Sequence, residues 1–336
     1  MDSLSQLVLG AAVSVAVMHR RTAVWKAAAW GAVAGTLPDL DVLLDHGDPI
    51  LNMVLHRAET HAPFWLTLFS LPFAAAVARL HSEWPLWRRW WLALWLALVT
   101  HPLLDAMTVY GTQLLLPFSD RPLGVGSVFI IDPLYTLPLL VGVVWALLTR
   151  GSSAGQRANR AGLLLSCAYL AWGVAAQQHV SSVARDALAQ QGVDVQQLLV
   201  TPIGFNSLLW RVVAVDGDSY REGFHSLLDA PGTLAFDRFD RGNHLASKLQ
   251  DHDGTQRIVR FSQGLYKLQA VGEQVRVTDL RMGLDDNYTF SFVVARRQGD
   301  VLQPVPAQQV GSRLDLPVAL AWLWRRMWGE QLPPPR

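Results

Sequence analysis

Six apolar runs in the first half of the chain restrict its fold more than any other feature. Several reach the roughly 17–25 residues that a helix needs to cross a bilayer. Buried helices of a soluble core can also produce such runs, but these are numerous and contain few charges. Overall, 51% of the residues are hydrophobic and 16% charged, whereas about 25% are charged in an ordinary soluble protein. We therefore expect a membrane all-α bundle of about six transmembrane helices, at about residues 5–18, 23–38, 62–80, 87–107, 128–149 and 161–178.

The charges between these runs alternate in sign. Arginines follow the first, third and fifth runs, whereas aspartates and one glutamate dominate after the second and fourth. Because basic loops of membrane proteins stay in the cytoplasm, the acidic loops are expected on the other side of the membrane. The pattern therefore predicts a multi-pass protein whose acidic loops are extracytoplasmic.

The composition changes at about residue 180. Short β-type runs such as Leu208–Val215 then alternate with turns rich in Gly, Asp and Asn, and Asp216-Gly217-Asp218 is typical of a hairpin turn. We expect a helical domain over residues 1–180, followed by a β-rich soluble domain over residues 181–312. After six spans, this second domain would lie on the side of the acidic loops.

The last part of the chain, residues 313–336, has a different character. The stretch Leu314–Trp328 is apolar and rich in tryptophan, with Arg325 and Arg326 inside it. Such a segment is typical of an amphipathic interfacial helix rather than a membrane span. The prolines that follow predict a disordered tail.

Several functional classes are excluded by composition and by missing motifs. The net charge of +1 offers no electrostatic basis for nucleic-acid binding. Cys167 is the only cysteine, which rules out an internal disulfide and a cysteine-based zinc site. The sequence contains no HExxH, GxSxG or Walker motif, so a zincin-type protease, a serine hydrolase of that type and a P-loop enzyme are not indicated.

Histidines and carboxylates form three clusters at the predicted outer face. They are the segments PDLD at residues 38–41, HRAETH at 56–61 and THPLLD at 100–105. His101 and Asp105 are four residues apart and share one face of a helix. Imidazole nitrogens and carboxylate oxygens are ligands that suit zinc, manganese or iron. Six side chains can hold one or two such ions: Asp39, Asp41, His56, His61, His101 and Asp105.

Each cluster also has a simpler explanation. The aspartates of residues 38–41 can cap a helix or mark a turn, and the histidines of residues 56–61 can be solvated loop residues. His101 and Asp105 can form a hydrogen-bonded pair inside a bundle. Ionisable groups at membrane depth are, however, candidates for function. The predicted location of all three clusters at one membrane face favours a metal site.

The order of these motifs resembles a known family. PDLD, then HRAETH, then HPLLD leading into TVYGTQLLLPFS is similar to the PDxD, HRxxTH and HxxxD motifs of the membrane-bound metal-dependent hydrolases of bacterial inner membranes. The resemblance covers about residues 5–150, and that family is distantly similar to zinc-dependent phospholipase C. It implies that the six side chains above are metal ligands, with Asp132 a weaker match. Ala62 stands where the family often has serine.

The motifs and the resemblance together predict an integral membrane metal-dependent hydrolase of the bacterial inner membrane. We expect it to cleave a phosphoester or a lipid-linked substrate through a metal-activated water, in the manner of a phosphodiesterase or phospholipase. Zinc is the favoured ion, with manganese or iron as alternatives. Arg57 is the expected phosphate-binding group and Glu59 the expected general base. A site at the membrane face favours a membrane lipid as the partner.

Other classes of function remain open at this point. A transporter should place its charged residues along a path through the bilayer, whereas these cluster near one surface. A metal-binding accessory protein without catalysis and a scaffold with a structural metal are further alternatives.

Overall fold

The computed structural model describes residues 1–299, 301–311 and 315–336. It divides into a helical unit, Met1–Leu44 with Leu55–Val174, and a β-sheet unit, Asp45–Val54 with Ala175–Arg336. The predicted order, a helical region followed by a β-rich region, is therefore correct. The predicted boundary between residues 312 and 313 lies outside the described residues.

The helical region begins with a capped helix and continues through helices joined by short 3₁₀ turns. The Asp2 side chain accepts hydrogen bonds from the backbone N–H groups of Leu4 and Ser5 and so caps the first helix. The helices up to residue 190 are α1 (Ser3–Met18), α2 (Val24–Thr36), η1 (Pro38–Leu43), α3 (Pro49–Leu55), η2 (Glu59–His61), α4 (Pro63–Leu80), η3 (Trp84–Leu86), α5 (Trp87–Asp105), α6 (Pro133–Leu148) and α7 (Ser153–Gln190).

Helices α1 and α2 approach each other at glycines. A Cβ atom on Gly10 would lie 2.2 Å from the Gly31 carbonyl oxygen, and one on Gly35 would lie 2.5 Å from the Gln6 carbonyl oxygen. Only glycine permits this backbone approach. The close packing fixes the position of the Gly35 carbonyl, which contacts a histidine described below.

The expectation of six membrane-spanning helices is wrong. Among the residues that the structure describes, only α4 is long and apolar enough to cross a membrane. Helices α1 and α6 are apolar but have 16 residues each, about 24 Å at 1.5 Å per residue, against a hydrocarbon core of about 30 Å. Many residues of the apolar runs, such as Ala12 and Val15, are buried in the core of the helical unit. The assignment of loops to the two sides of the membrane depended on six membrane-spanning helices and is therefore no longer supported.

In its described residues, the β-sheet unit contains two four-stranded antiparallel sheets and a small hairpin. The sheet orders are β1-β2-β3-β4 and β10-β9-β6-β5, and β7 pairs with β8. The strands are β1 (Gln197–Pro202), β2 (Leu209–Asp216), β3 (Ser219–Ser226), β4 (Phe236–Asp240), β5 (Tyr266–Val271), β6 (Gln274–Asp279), β7 (Gly283–Leu284), β8 (Asn287–Tyr288), β9 (Ser291–Gln298) and β10 (Val301–Gln309). The hairpin predicted at Asp216–Asp218 joins β2 to β3, with Gly217 at a φ of +66°.

Short helices complete the β-sheet unit. They are α8 (Asn243–Ala246), η4 (Ser247–Leu249), α9 (Asp253–Phe261) and α10 (Leu316–Met327). In α10, the Trp322 ring packs edge-on against Phe224, and Arg326 pairs with Asp229 at 2.6 Å. The helix predicted near the end of the chain is thus present from Leu316. The predicted start at Leu314 lies outside the described residues.

Candidate metal centre

Four of the six predicted ligands come together at one point of the helical unit. Asp39 is on η1, His61 ends η2, and His101 and Asp105 occupy the last turns of α5. One ligand atom from each lies within 4.8 Å of the others. The side chains of both histidines and of Asp105 are fully buried, whereas that of Asp39 is 20% exposed. Asp39 is therefore the member of the cluster that solvent reaches.

Five of the six distances between these four atoms lie between 3.1 and 3.5 Å. Asp39 Oδ1 lies 3.5 Å from His61 Nε2 and 3.4 Å from His101 Nε2. Asp105 Oδ2 lies 3.3 Å and 3.4 Å from the same two nitrogens, which are 3.1 Å apart. Ligand atoms at such distances from one another can share an ion at roughly 2.0 Å from each, the Zn–N and Zn–O bond length in proteins.

The outer nitrogens of both rings are held by acceptors. His101 Nδ1 donates to the Gly35 carbonyl at 2.6 Å. The Thr60 hydroxyl donates to Asp41 Oδ2 at 2.7 Å, so it accepts from His61 Nδ1 at 2.9 Å. With Nδ1 protonated in each ring, Nε2 carries a lone pair that faces the cluster. Metal-ligating histidines in proteins are oriented in this way.

This arrangement requires a positive charge at its centre. Two nitrogen lone pairs and two carboxylate oxygens about 3 Å apart repel one another unless a cation or protons lie between them. Asp105 Oδ2 is buried and accepts no hydrogen bond within the described part of the chain. Burial lowers the pKa of His61, but contacts with Asp105, Asp39 and Asp41 outweigh burial and raise that pKa to about 9. The cluster therefore favours a positive charge at its centre and has the donor set to hold a metal ion.

The structure places Asp41 and His56 behind the cluster rather than in it. Asp41 Oδ1 accepts from His56 Nδ1 at 2.8 Å, and Asp41 Oδ2 accepts from the Thr60 hydroxyl and from the Arg57 N–H at 3.1 Å. Burial raises the pKa of Asp41, but hydrogen bonds to His56, His61 and Thr60 outweigh burial and hold that pKa well below its usual range. Asp41 is therefore a charged acceptor that orients the ligands around it.

The two side chains predicted for catalysis have different surroundings. Arg57 is 3% exposed and adopts a φ of +66°. Its Nε lies 3.2 Å from Asp105 Oδ2, its Nη1 donates to the Thr108 hydroxyl, and its guanidinium lies over the Tyr110 ring. Glu59 is exposed on η2, outside the four-residue cluster. Arg57 thus forms an ion pair with the cluster carboxylate Asp105, whereas Glu59 is exposed to solvent.

Some residues of the site were missed by sequence reasoning. Gln6, on α1, donates to Asp105 Oδ1 and to the His101 carbonyl, both at 3.1 Å. The Met1 amino group also contacts Asp105. A buried glutamine within an apolar helix was the one available signal. Asp132, the weaker family match, caps α6 and accepts from the Tyr169 hydroxyl at 2.8 Å, outside the cluster.

The region that contains the cluster matches a known family. Residues 1–180 fit the sequence profile of the YdjM inner membrane protein family, and this match covers more than half of the chain. The chain belongs to that family. Its membership supports the predicted association with the inner membrane. Every member of the cluster falls within the part that matches YdjM proteins.

The comparisons do not extend the assignment to an activity. No curated protein and no solved structure matches the chain. The resemblance to hydrolases and to zinc-dependent phospholipase C therefore rests on the motifs alone.

Proposed function

We propose that this YdjM-family protein is a metal-dependent hydrolase that binds one divalent ion through Asp39, His61, His101 and Asp105. The close placement of their four ligand atoms, with five of the six mutual distances between 3.1 and 3.5 Å, carries the proposal. Two imidazoles and two carboxylates at this spacing suit zinc better than manganese, which prefers an octahedral set of oxygens. When bound, zinc supplies a Lewis acid and a source of hydroxide near neutral pH.

The residues around the ion have distinct roles in this proposal. Burial raises the pKa of Asp39, but contacts with His101 and His61 outweigh burial and hold that pKa below its usual range. Asp39 is thus ionised at neutral pH, and as the exposed ligand it is the one that can make room for a substrate. Arg57 positions Asp105 rather than clamping a phosphate, because its buried guanidinium forms an ion pair with Asp105, with Nε 3.2 Å from Oδ2. Glu59 stays the predicted proton acceptor, and a phosphoester the predicted substrate.

A direct experiment is metal analysis combined with hydrolysis by the full-length protein in detergent. Wild type is expected to contain one zinc per chain and to cleave bis(p-nitrophenyl) phosphate. His101→Asn, whose amide can still donate to the Gly35 carbonyl, should lose both metal and activity. Asp45→Asn is the matched control, because Asp45 is exposed, lies outside the four-residue cluster and accepts from the Gly47 N–H and the Asn52 amide. Metal retained by His101→Asn would contradict the proposal.

The alternative is a metal-binding protein without catalysis. Catalytic zinc sites usually have three protein ligands and an open position, whereas structural sites have four. Because this cluster offers four protein side chains, the number of ligands favours the alternative. One zinc per chain with no hydrolysis of phosphomonoesters or phosphodiesters, and loss of thermal stability on chelation, would support it.

A further inference from the structure

The helix that carries Asp39 exposes apolar side chains to its surroundings. In and just after η1, Leu40, Val42, Leu43 and Leu44 each expose between 53% and 76% of their surface. Leu40 lies between Asp39 and Asp41, and the other three follow Asp41 directly. Exposed apolar groups in a continuous stretch mark a surface that binds another apolar phase.

A second group of exposed apolar side chains follows the ligand His61 along the chain. Helix α4 begins at Pro63, two residues after the ligand His61. Phe64 and Trp65 in its first turn are more than 40% exposed, and the Phe64 ring packs edge-on against Phe118, which is 81% exposed. We refer to these residues, together with the exposed apolar residues in and just after η1, as the apolar rim: Leu40, Val42, Leu43, Leu44, Phe64, Trp65 and Phe118.

We infer that the apolar rim lies in the lipid bilayer and that the substrate is a membrane phospholipid that reaches the cluster from the bilayer. The inference rests on the proposed hydrolase function. Among the described residues, α4 has the length and composition of a membrane span, and aromatic residues at the end of a span lie at the membrane–water interface. His61 is then at the depth of the headgroups, where the phosphoester of a phospholipid lies.

The depth of the cluster selects a lipid over a soluble phosphoester. Asp39, the exposed ligand, directly precedes Leu40 on η1. A lipid can therefore place its acyl chains against the rim and its phosphate beside Asp39. A protein partner seated on η1 would instead cover this opening.

The test compares two substrates in the same detergent preparation. Val42→Glu/Leu43→Glu changes two exposed side chains, and Leu80→Glu, at the far end of α4 and 68% exposed, is the control. With dioleoylphosphatidylglycerol in mixed micelles, we expect the double variant to lose about tenfold or more of the wild-type rate. Hydrolysis of bis(p-nitrophenyl) phosphate should stay unchanged. Equal rates of wild type and double variant on the lipid would overturn the inference.

A second measurement does not depend on catalysis. A spin label is placed on Leu43→Cys in a Cys167→Ser background, and the protein is inserted into phosphatidylglycerol nanodiscs. The label reports whether oxygen or a water-soluble nickel complex reaches residue 43. Relaxation dominated by oxygen is expected at residue 43, and relaxation dominated by nickel at an Asp251→Cys control. Nickel-dominated relaxation at residue 43 would overturn the inference even in an active enzyme. Lipid exposure there in a protein that cleaves neither substrate would refute the hydrolase function and the phospholipid substrate, but not the position of the apolar rim in the bilayer.

Discussion

Replacing Asp41 with asparagine tests whether this carboxylate supports the metal centre or belongs to it. Its two oxygens accept from His56 at 2.8 Å, from Thr60 at 2.7 Å and from the Arg57 N–H at 3.1 Å. Asparagine keeps the shape and one oxygen but removes the charge and one acceptor. The Thr60 hydroxyl then loses its orientation, and with it the hold on His61 Nδ1.

The size of the effect follows from this indirect connection. Loss of a group that orients a ligand costs about 10–100-fold in metal affinity, or roughly 1.4–2.8 kcal/mol. The number of ions bound should not change, because Asp41 contributes no atom to the four-residue cluster. We therefore expect Asp41→Asn to bind one zinc per chain, as wild type does, with a dissociation constant raised by one to two orders of magnitude.

The assay is competition against a chelator of known zinc affinity, with stoichiometry from elemental analysis. Asp45→Asn should match wild type, and His101→Asn should bind no zinc at the highest usable concentration. Two results would refute the reasoning. A wild type with two ions that falls to one in Asp41→Asn would make Asp41 a ligand, and an unchanged affinity would remove its supporting role.

Three further predictions address the surroundings of the site. Thr60→Val, which keeps the volume but removes the bridging hydroxyl, should weaken zinc binding by about tenfold in the same competition assay, and an unaltered affinity would contradict it. Gly31→Ala should destabilise the helical unit by about 1–3 kcal/mol, since the new Cβ would lie 2.3 Å from a carbonyl oxygen. Thermal unfolding in detergent should show a lower Tm for this variant. The control Gly311→Ala should leave the Tm unchanged, because no described atom lies within 4 Å of the new Cβ. Burial raises the pKa of Glu83, but hydrogen bonds, of which the one from Lys26 is the strongest, outweigh burial and lower that pKa. The ionised Glu83 therefore stabilises the fold above the unfolded pKa of about 4.5, and this stabilisation is lost as the pH falls through the folded pKa. Glu83→Gln should therefore reduce the Tm at pH 7 and approach wild type in acid, and an equal Tm difference at both pH values would contradict the ion pair.

Much of the candidate metal centre was predictable because ligand chemistry belongs to particular residue types. The segments PDLD, HRAETH and HPLLD contain all four side chains of the cluster, although they are separated by up to 66 positions, between Asp39 and Asp105. The spacing of His101 and Asp105 on one helix face was also sufficient to bring that pair together. The change of composition near residue 180 likewise marked the passage from helices to strands.

Sequence could not determine which candidates share one centre. Asp41 and His56 have the same chemistry as the ligands, yet they face each other behind the cluster at 2.8 Å. Their placement depends on how η1 and η2 turn between α2 and α4. Gln6 and the Gly35 carbonyl joined the site only through the glycine-mediated packing of α1 on α2.

The same distinction applies to the membrane. The sequence alone established an apolar first half, and family membership agrees with an inner-membrane location. The number of spans was wrong because hydropathy sums over a run without recording which side chains the fold buries. Helix length and burial are properties of the tertiary structure. Within the described residues they leave one span-like helix, α4, which begins two residues after a predicted metal ligand.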